Sequence, residues 1–197
     1  MKAIDLIMEM VKENNGMITT AMLVNAGFSR GNLKYLVDKG SLEKTSRGVY
    51  ILPEVWEDEF FNLQSRFKRG IFSNETALYL WDLTDRTPNR YSMTFPATYN
   101  LAKPKEEQIN CSQSKEPLYS IGIAVVKTPS GNMVKAYCME RTLCDILRTH
   151  NHIDIQVVAD AFKRYAKRSD KNIPELSGFA KKFRVEKKLR NYLEVLL

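Results

Sequence analysis

The sequence predicts an α+β protein: an N-terminal winged helix-turn-helix followed by a mixed α/β C-terminal domain that ends in a helical bundle. Three observations carry this. The first 53 residues hold three short helical patterns and then a two-strand hairpin pattern. The middle of the chain alternates strand-like runs with turns. From Met139 onward only helical periodicity is left. The expected division is 1–53, a connecting helix over 54–70, and a second domain over 71–197.

The elements follow in order. Ile4, Ile7, Met8 and Val11 recur at helical spacing, and Asn14-Asn15-Gly16 stops that helix. Met17-Ile18 is a short extended segment. Thr19 or Thr20 caps a second helix through Ala26, and Gly27-Phe28 turns the chain. Ser29 is the expected N-cap of a third helix, Arg30 to Lys39, with Leu33, Leu36 and Val37 inward and Gly40 as its stop. Leu42 to Ser46 and Val49 to Leu52 read as strands joined by Arg47-Gly48. Trp56, Phe60, Leu63 and Phe67 mark one face of the connecting helix.

In the second domain, Ser73 is expected to cap a helix to Leu83 that turns Tyr79 and Leu80 inward. Tyr91 to Pro96 is strand-like, and Asn100 to Glu107 is a loop or short helix around Pro104. Leu118 to Val126 is the strongest strand pattern, returning through Thr128–Asn132 into Met133 to Tyr137. Helices are predicted over Met139–Thr149, Ile153–Arg168, Ile173–Phe183 and Val185–Leu197.

Composition narrows the function classes. The 197 residues are 44% hydrophobic and 27% charged, which excludes wholesale disorder. No run of about 18 uncharged apolar residues occurs, so no membrane span is expected. Asp5 and Glu9 interrupt the first apolar stretch, which argues against a signal peptide. Cys111, Cys138 and Cys144 form no framework, so a reducing, cytoplasmic setting is expected. The net charge of +7 is uneven: residues 160–197 hold 11 basic and 5 acidic side chains. Basic surface favours a polyanion.

The third helix and the hairpin tip carry groups that suit DNA. Ser29, Arg30, Asn32, Lys34, Tyr35 and Lys39 lie on or beside the helix's outer side, and Lys44, Ser46 and Arg47 mark the hairpin tip. Arginine bonds guanine bidentately, asparagine does the same to adenine, and a wing tip meets backbone phosphates. Winged helices also serve as protein-binding or structural modules, and the first 53 residues carry a net charge of only +2.

Catalytic signatures are missing: there is no GxxxxGK[ST], GxGxxG, GxSxG or HExxH. His150 and His152 lack further ligands at zinc spacing, so neither metal nor cofactor is expected. Arg141, Asp145 and Arg148 can form a ladder of helical ion pairs, which Glu75 could join. That cluster reads as structural or functional. Lys163, Arg164, Lys167, Arg168, Lys181, Lys182, Lys187, Lys188 and Arg190 form a candidate basic surface. A solvated helix face is the competing reading.

Longer motifs are spread along the chain: RGVYILP (47–53), FSNETALYLWDLTDRTP (72–88), TFP (94–96), MERTLCDILR (139–148), and DAFKRYAKRSDKNIPELSGFAKKFRVEKKLRNYLEVL (160–196). On these, the chain resembles the AbiEi-family antitoxins of bacterial abortive-infection (phage defence) systems, close to the streptococcal members. The resemblance implies a type IV toxin–antitoxin protein that represses its own operon by binding inverted repeats in the promoter. It also implies a nucleotidyltransferase-like toxin partner, counteracted without a stable complex. The implied DNA surface falls on Ser29 to Lys39 and the wing around Arg47. No catalytic motif is carried over. Two alternatives stay open. The C-terminal domain could be an enzyme using Glu75, Arg141 and Asp145, or an effector-sensing domain with a pocket near Ile121, Tyr79 and Trp81.

Overall fold

The computed structural model describes residues 3–196. These form a mixed α+β structure of ten α-helices and two sheets. The chain divides into two compact units. One runs to Lys68 and takes in Lys127–Val134; the other holds Arg69–Val126 and the chain from Lys135.

The first unit starts with α1 (Ala3–Glu13), β1 (Met17–Thr19), α2 (Thr20–Asn25) and α3 (Gly31–Asp38). Asn15 and Gly16 take left-handed conformations at φ 54° and 77°, which stops α1. Thr19 caps α2, its hydroxyl accepting from the Met22 amide at 3.1 Å. The capping residue of α3 is Arg30, not Ser29. Ser29 Oγ still accepts from the Gly31 amide at 3.3 Å, one turn position earlier than a helix cap. β2 (Glu43–Ser46) and β3 (Val49–Ile51) complete an antiparallel sheet of order β1-β3-β2. Ile7, Val11, Ile18, Leu23, Leu33, Leu36 and Leu42 form the core beneath it. Each such buried side chain contributes about 1.5–3 kcal/mol of transfer free energy.

The expected connecting helix over 54–70 is shorter: α4 spans Glu59–Arg66. The Val55 amide closes a turn on the Leu52 carbonyl, and Asp58 caps α4 by accepting from the Phe61 amide. Trp56 therefore lies outside the helix and is 90% exposed, whereas Phe60, Leu63 and Phe67 are buried as expected. Asp58 is itself buried. Its second oxygen accepts from the Thr128 hydroxyl at 2.5 Å and the Asn132 amide at 2.9 Å. These bonds hold the 127–134 segment in this unit.

The second unit carries β4 (Ile71–Phe72), α5 (Asn74–Leu80), β5 (Ser92–Pro96), α6 (Ala102–Glu106) and β6 (Asn110–Ser114). β7 (Ile123–Lys127) and β8 (Met133–Tyr137) follow, completing a sheet of order β6-β5-β4-β8-β7. β4 pairs antiparallel with β5 and parallel with β8; β5 pairs parallel with β6. Two expectations need correction. β6, with sequence NCSQS, has no apolar alternation and was not anticipated; backbone pairing along β5 forms it at the sheet edge. The strand expected over 118–126 starts only at Ile123. Residues 118–122 turn instead, because the Tyr119 and Ile121 carbonyls are taken by side chains of Arg141 and Tyr137. Ser73 precedes α5 without a side-chain cap, its hydroxyl instead accepting from Thr94 Oγ1 at 3.0 Å. Leu80 is buried in α5, while Tyr79 is only half-buried.

α7 (Met139–Ile146), α8 (Ile155–Ala166), α9 (Ile173–Phe183) and α10 (Glu186–Leu196) close the chain. All eight residues of α7 are buried, so it is the central helix of this layer. Leu143, Val158, Phe162, Leu176 and Phe179 belong to one apolar cluster around it. Among the described residues, no helix is long and apolar enough to cross a membrane.

Candidate nucleic-acid interface

In the first unit, α2, the start of α3, the β2–β3 hairpin and the end of α4 enclose an open groove of about 680 Å³. Arg30, Lys44 and Arg47, all candidates from the sequence, line it together with Lys68. Among the described residues no acidic side chain lines it. Thr20 and Ser65 supply hydroxyls, and Leu33 and Val24 supply apolar wall. Four cations without a carboxylate make a local positive potential that attracts phosphate.

The hairpin tip is shaped by a bulge: the register shifts between Lys44 and Ser46, leaving Thr45 as the extra residue. The Thr45 hydroxyl is buried and makes no hydrogen bond among the described residues. A bulge bends and twists its strand, which re-aims the side chains beyond it, here those of the tip. Gly48, at φ 81°, makes the turn. The Ser46 hydroxyl does not face the groove. It donates to Asn62 Oδ1 at 2.5 Å and ties the hairpin to α4.

The remaining candidates divide in two. Lys34, Tyr35 and Lys39 are exposed along α3 outside the groove lining. Tyr35 is 50% exposed, with the Lys39 ammonium 5.9 Å from its ring centroid. Asn32 turns back, its amide donating to the Ser29 carbonyl at 3.0 Å, and stabilises the helix start. Lys68 and Thr20 escaped sequence reading. Thr20 sits on the preceding helix, and Lys68 lies far along the chain and reaches the groove only through the packing of the segment after α4.

In the second unit the Arg141–Asp145–Arg148 ladder forms. Arg141 Nε meets Asp145 Oδ2 and Arg148 Nη1 meets Asp145 Oδ1, both at 3.2 Å. Arg141 is 1% exposed, with its guanidinium carbon 3.3 Å from the Tyr137 ring centroid. It also donates to the Tyr119 and Ile121 carbonyls. Its Nε and Nη1 donors thus serve protein acceptors, as in a structural network. Burial pushes the Tyr137 hydroxyl pKa well above its ordinary value. No bond or ion pair joins Glu75 to this cluster among the described residues. Asn74 reaches it instead, accepting from the Asn151 amide at 3.2 Å, while that amide also donates to the Asp145 carbonyl at 2.7 Å. A small polar cavity of about 260 Å³ opens against Arg141, Asp145, Arg148 and His150. Burial and the neighbouring Arg148 hold the His150 pKa below 6.5. No group of three or more His, Cys, Asp or Glu among the described residues is placed to hold a metal ion. Trp81 and Ile121, expected near an effector pocket, pack against the apolar cluster around α7.

The candidate basic surface is partly engaged. Arg164 pairs with Asp85, and Arg168 with Asp170 at 2.7 and 2.8 Å. Lys163 lies 4.0 Å from Asp160, and Lys188 donates to the Leu147 carbonyl and Thr149 Oγ1, both at 2.8 Å. Lys167, Lys181, Lys182, Lys187 and Arg190 are exposed.

Residues 5–53, a quarter of the chain, match the family model described as "Transcriptional regulator, AbiEi antitoxin". Among solved structures, the crystal structure of the RV2827C protein from Mycobacterium tuberculosis is similar over 87% of this chain and 70% of that one. Its TM-score is 0.52 at 16% identity, a likeness of fold. No curated protein matches the chain.

Proposed function

We propose that this chain, whose residues 5–53 carry the AbiEi antitoxin regulator pattern, is the antitoxin and autorepressor of a toxin–antitoxin abortive-infection operon. In this reading α1 to β3 form a winged helix-turn-helix that binds inverted repeats in the operon's own promoter. The observation that carries it is the groove of Arg30, Lys44, Arg47 and Lys68, free of lining carboxylates, beside the exposed face of α3. Arg30 and Lys34 enter the major groove from α3. Lys44, Arg47 and Lys68 hold backbone phosphates and fix the register. The second unit serves the antitoxin role against a nucleotidyltransferase-like toxin without a stable complex. Its buried ladder of Arg141, Asp145 and Arg148 keeps that unit in shape rather than performing chemistry.

Gel-shift titration tests the reading, on the chain's own upstream promoter and on a scrambled duplex at two salt concentrations. Specific binding with a steep salt dependence is expected, each phosphate contact adding roughly 0.9 to the slope. Arg30→Ala/Arg47→Ala should weaken promoter binding by at least roughly tenfold and flatten the slope by about 1, the Arg47 phosphate contact. Equal binding to both duplexes, or unchanged binding by the double variant, would overturn it.

A further inference from the structure

We propose that the cleft between the end of α7 and the start of α10 binds a small ligand through a di- or triphosphate group, held by Arg148, Arg184, Lys187 and Lys188. The cleft is an open cavity of about 720 Å³ within the second unit, and these four cations line it. Among the described residues Glu186 is its single acidic lining residue. Phe183, Val185 and Leu147 supply an apolar wall against which the rest of such a ligand can lie.

Two of the cations are fixed in place before any ligand arrives. Arg148 is only partly buried, with 29% of its side chain exposed, yet Asp145 holds one end of its guanidinium. Asp145 is held in turn by Arg141. The Phe183 ring lies under Arg148, 5.3 Å from centroid to guanidinium carbon. One edge of the fork is thus taken by a carboxylate, and the other N–H donors stay available for phosphate oxygens. Lys188 donates two hydrogen bonds to Leu147 and Thr149, which aims its ammonium and leaves one proton free. A preorganised donor set loses little entropy on binding.

Arg184 lines the cleft from the end of α9. It ends α9 in the left-handed conformation, at φ 58°. Glycine takes that position without strain, whereas an arginine there is strained.

The proposal stands apart from promoter binding, and a distinct experiment tests it. Isothermal titration of the full chain at low salt uses inorganic tripolyphosphate, ATP and a scrambled duplex as three separate probes. Tripolyphosphate and ATP should each bind with one site per chain. Arg184→Gly/Lys187→Gln should weaken both by roughly tenfold to hundredfold, the loss of two charge-assisted contacts. Because glycine relieves the left-handed strain, the same variant should unfold at an unchanged or higher temperature. A loss of binding with intact folding therefore reports the site itself. No binding of tripolyphosphate, or equal binding by the variant, would overturn the proposal. So would an effect of the variant on duplex binding alone, which would make the cleft a DNA contact instead.

Discussion

Replacing Arg141 by methionine removes one cation from the second unit while keeping a side chain of similar reach. Arg141 is 1% exposed, and its guanidinium bonds Asp145 and the Tyr119 and Ile121 carbonyls while stacking on Tyr137. After the substitution Asp145, 5% exposed, keeps only Arg148, which is partly in solvent. The Ile121 carbonyl loses its donor. Removing one partner of a buried pair costs about 3–5 kcal/mol, here because Asp145 stays buried with only the partly solvated Arg148 to offset its charge. In a chain of this size each kcal/mol lowers the melting temperature by about 2–4 °C, so a drop of roughly 6–20 °C is expected. Urea unfolding followed by tryptophan fluorescence reads the effect. Trp81 belongs to this unit, its indole N–H donating to the Tyr137 carbonyl at 2.8 Å, whereas Trp56 is already 90% exposed. Arg141→Met/Asp145→Leu should recover much of the loss, since no unpaired carboxylate is left. A loss under about 1 kcal/mol for the single variant, or a double variant worse than the single one, would refute the reasoning.

Two other outcomes are expected. Asp58→Ala removes the cap of α4 and the acceptor of Thr128 and Asn132, and should cost about 2–4 kcal/mol in a urea titration. A change below about 1 kcal/mol would mean that the 127–134 segment is held by other contacts. Burial raises the Cys138 thiol to about 11 and pushes Cys144 higher still, so both are protonated at pH 8 and poor nucleophiles. A thiol reagent should label Cys111 first, with Cys144 reacting only in denaturant. Fast labelling of Cys144 in the native protein would contradict its burial.

The local elements of this protein were determined by its sequence. Asn15-Gly16, Gly40 and Gly48 stop and turn the chain wherever they fall, because the left-handed conformation is a property of the residue and its neighbours. Helical periodicity named Ile7, Leu33, Leu36 and Leu143 as core positions, and i, i+4 spacing paired Arg141 with Asp145. These depend on contacts a few residues apart. Tertiary structure decided the rest. The strand at 123–127 is cut short because Arg141, more than 14 residues along, takes the carbonyls of 119 and 121. The polar β6 exists because β5 offers an edge for backbone pairing, which no side-chain pattern records. Lys68 reaches the groove of Arg30 and Arg47, and Arg184 the cleft of Arg148, through folding alone. Charge is written residue by residue in the chain, but the place where charges converge is set by which helices pack together, and packing is a contact between distant segments.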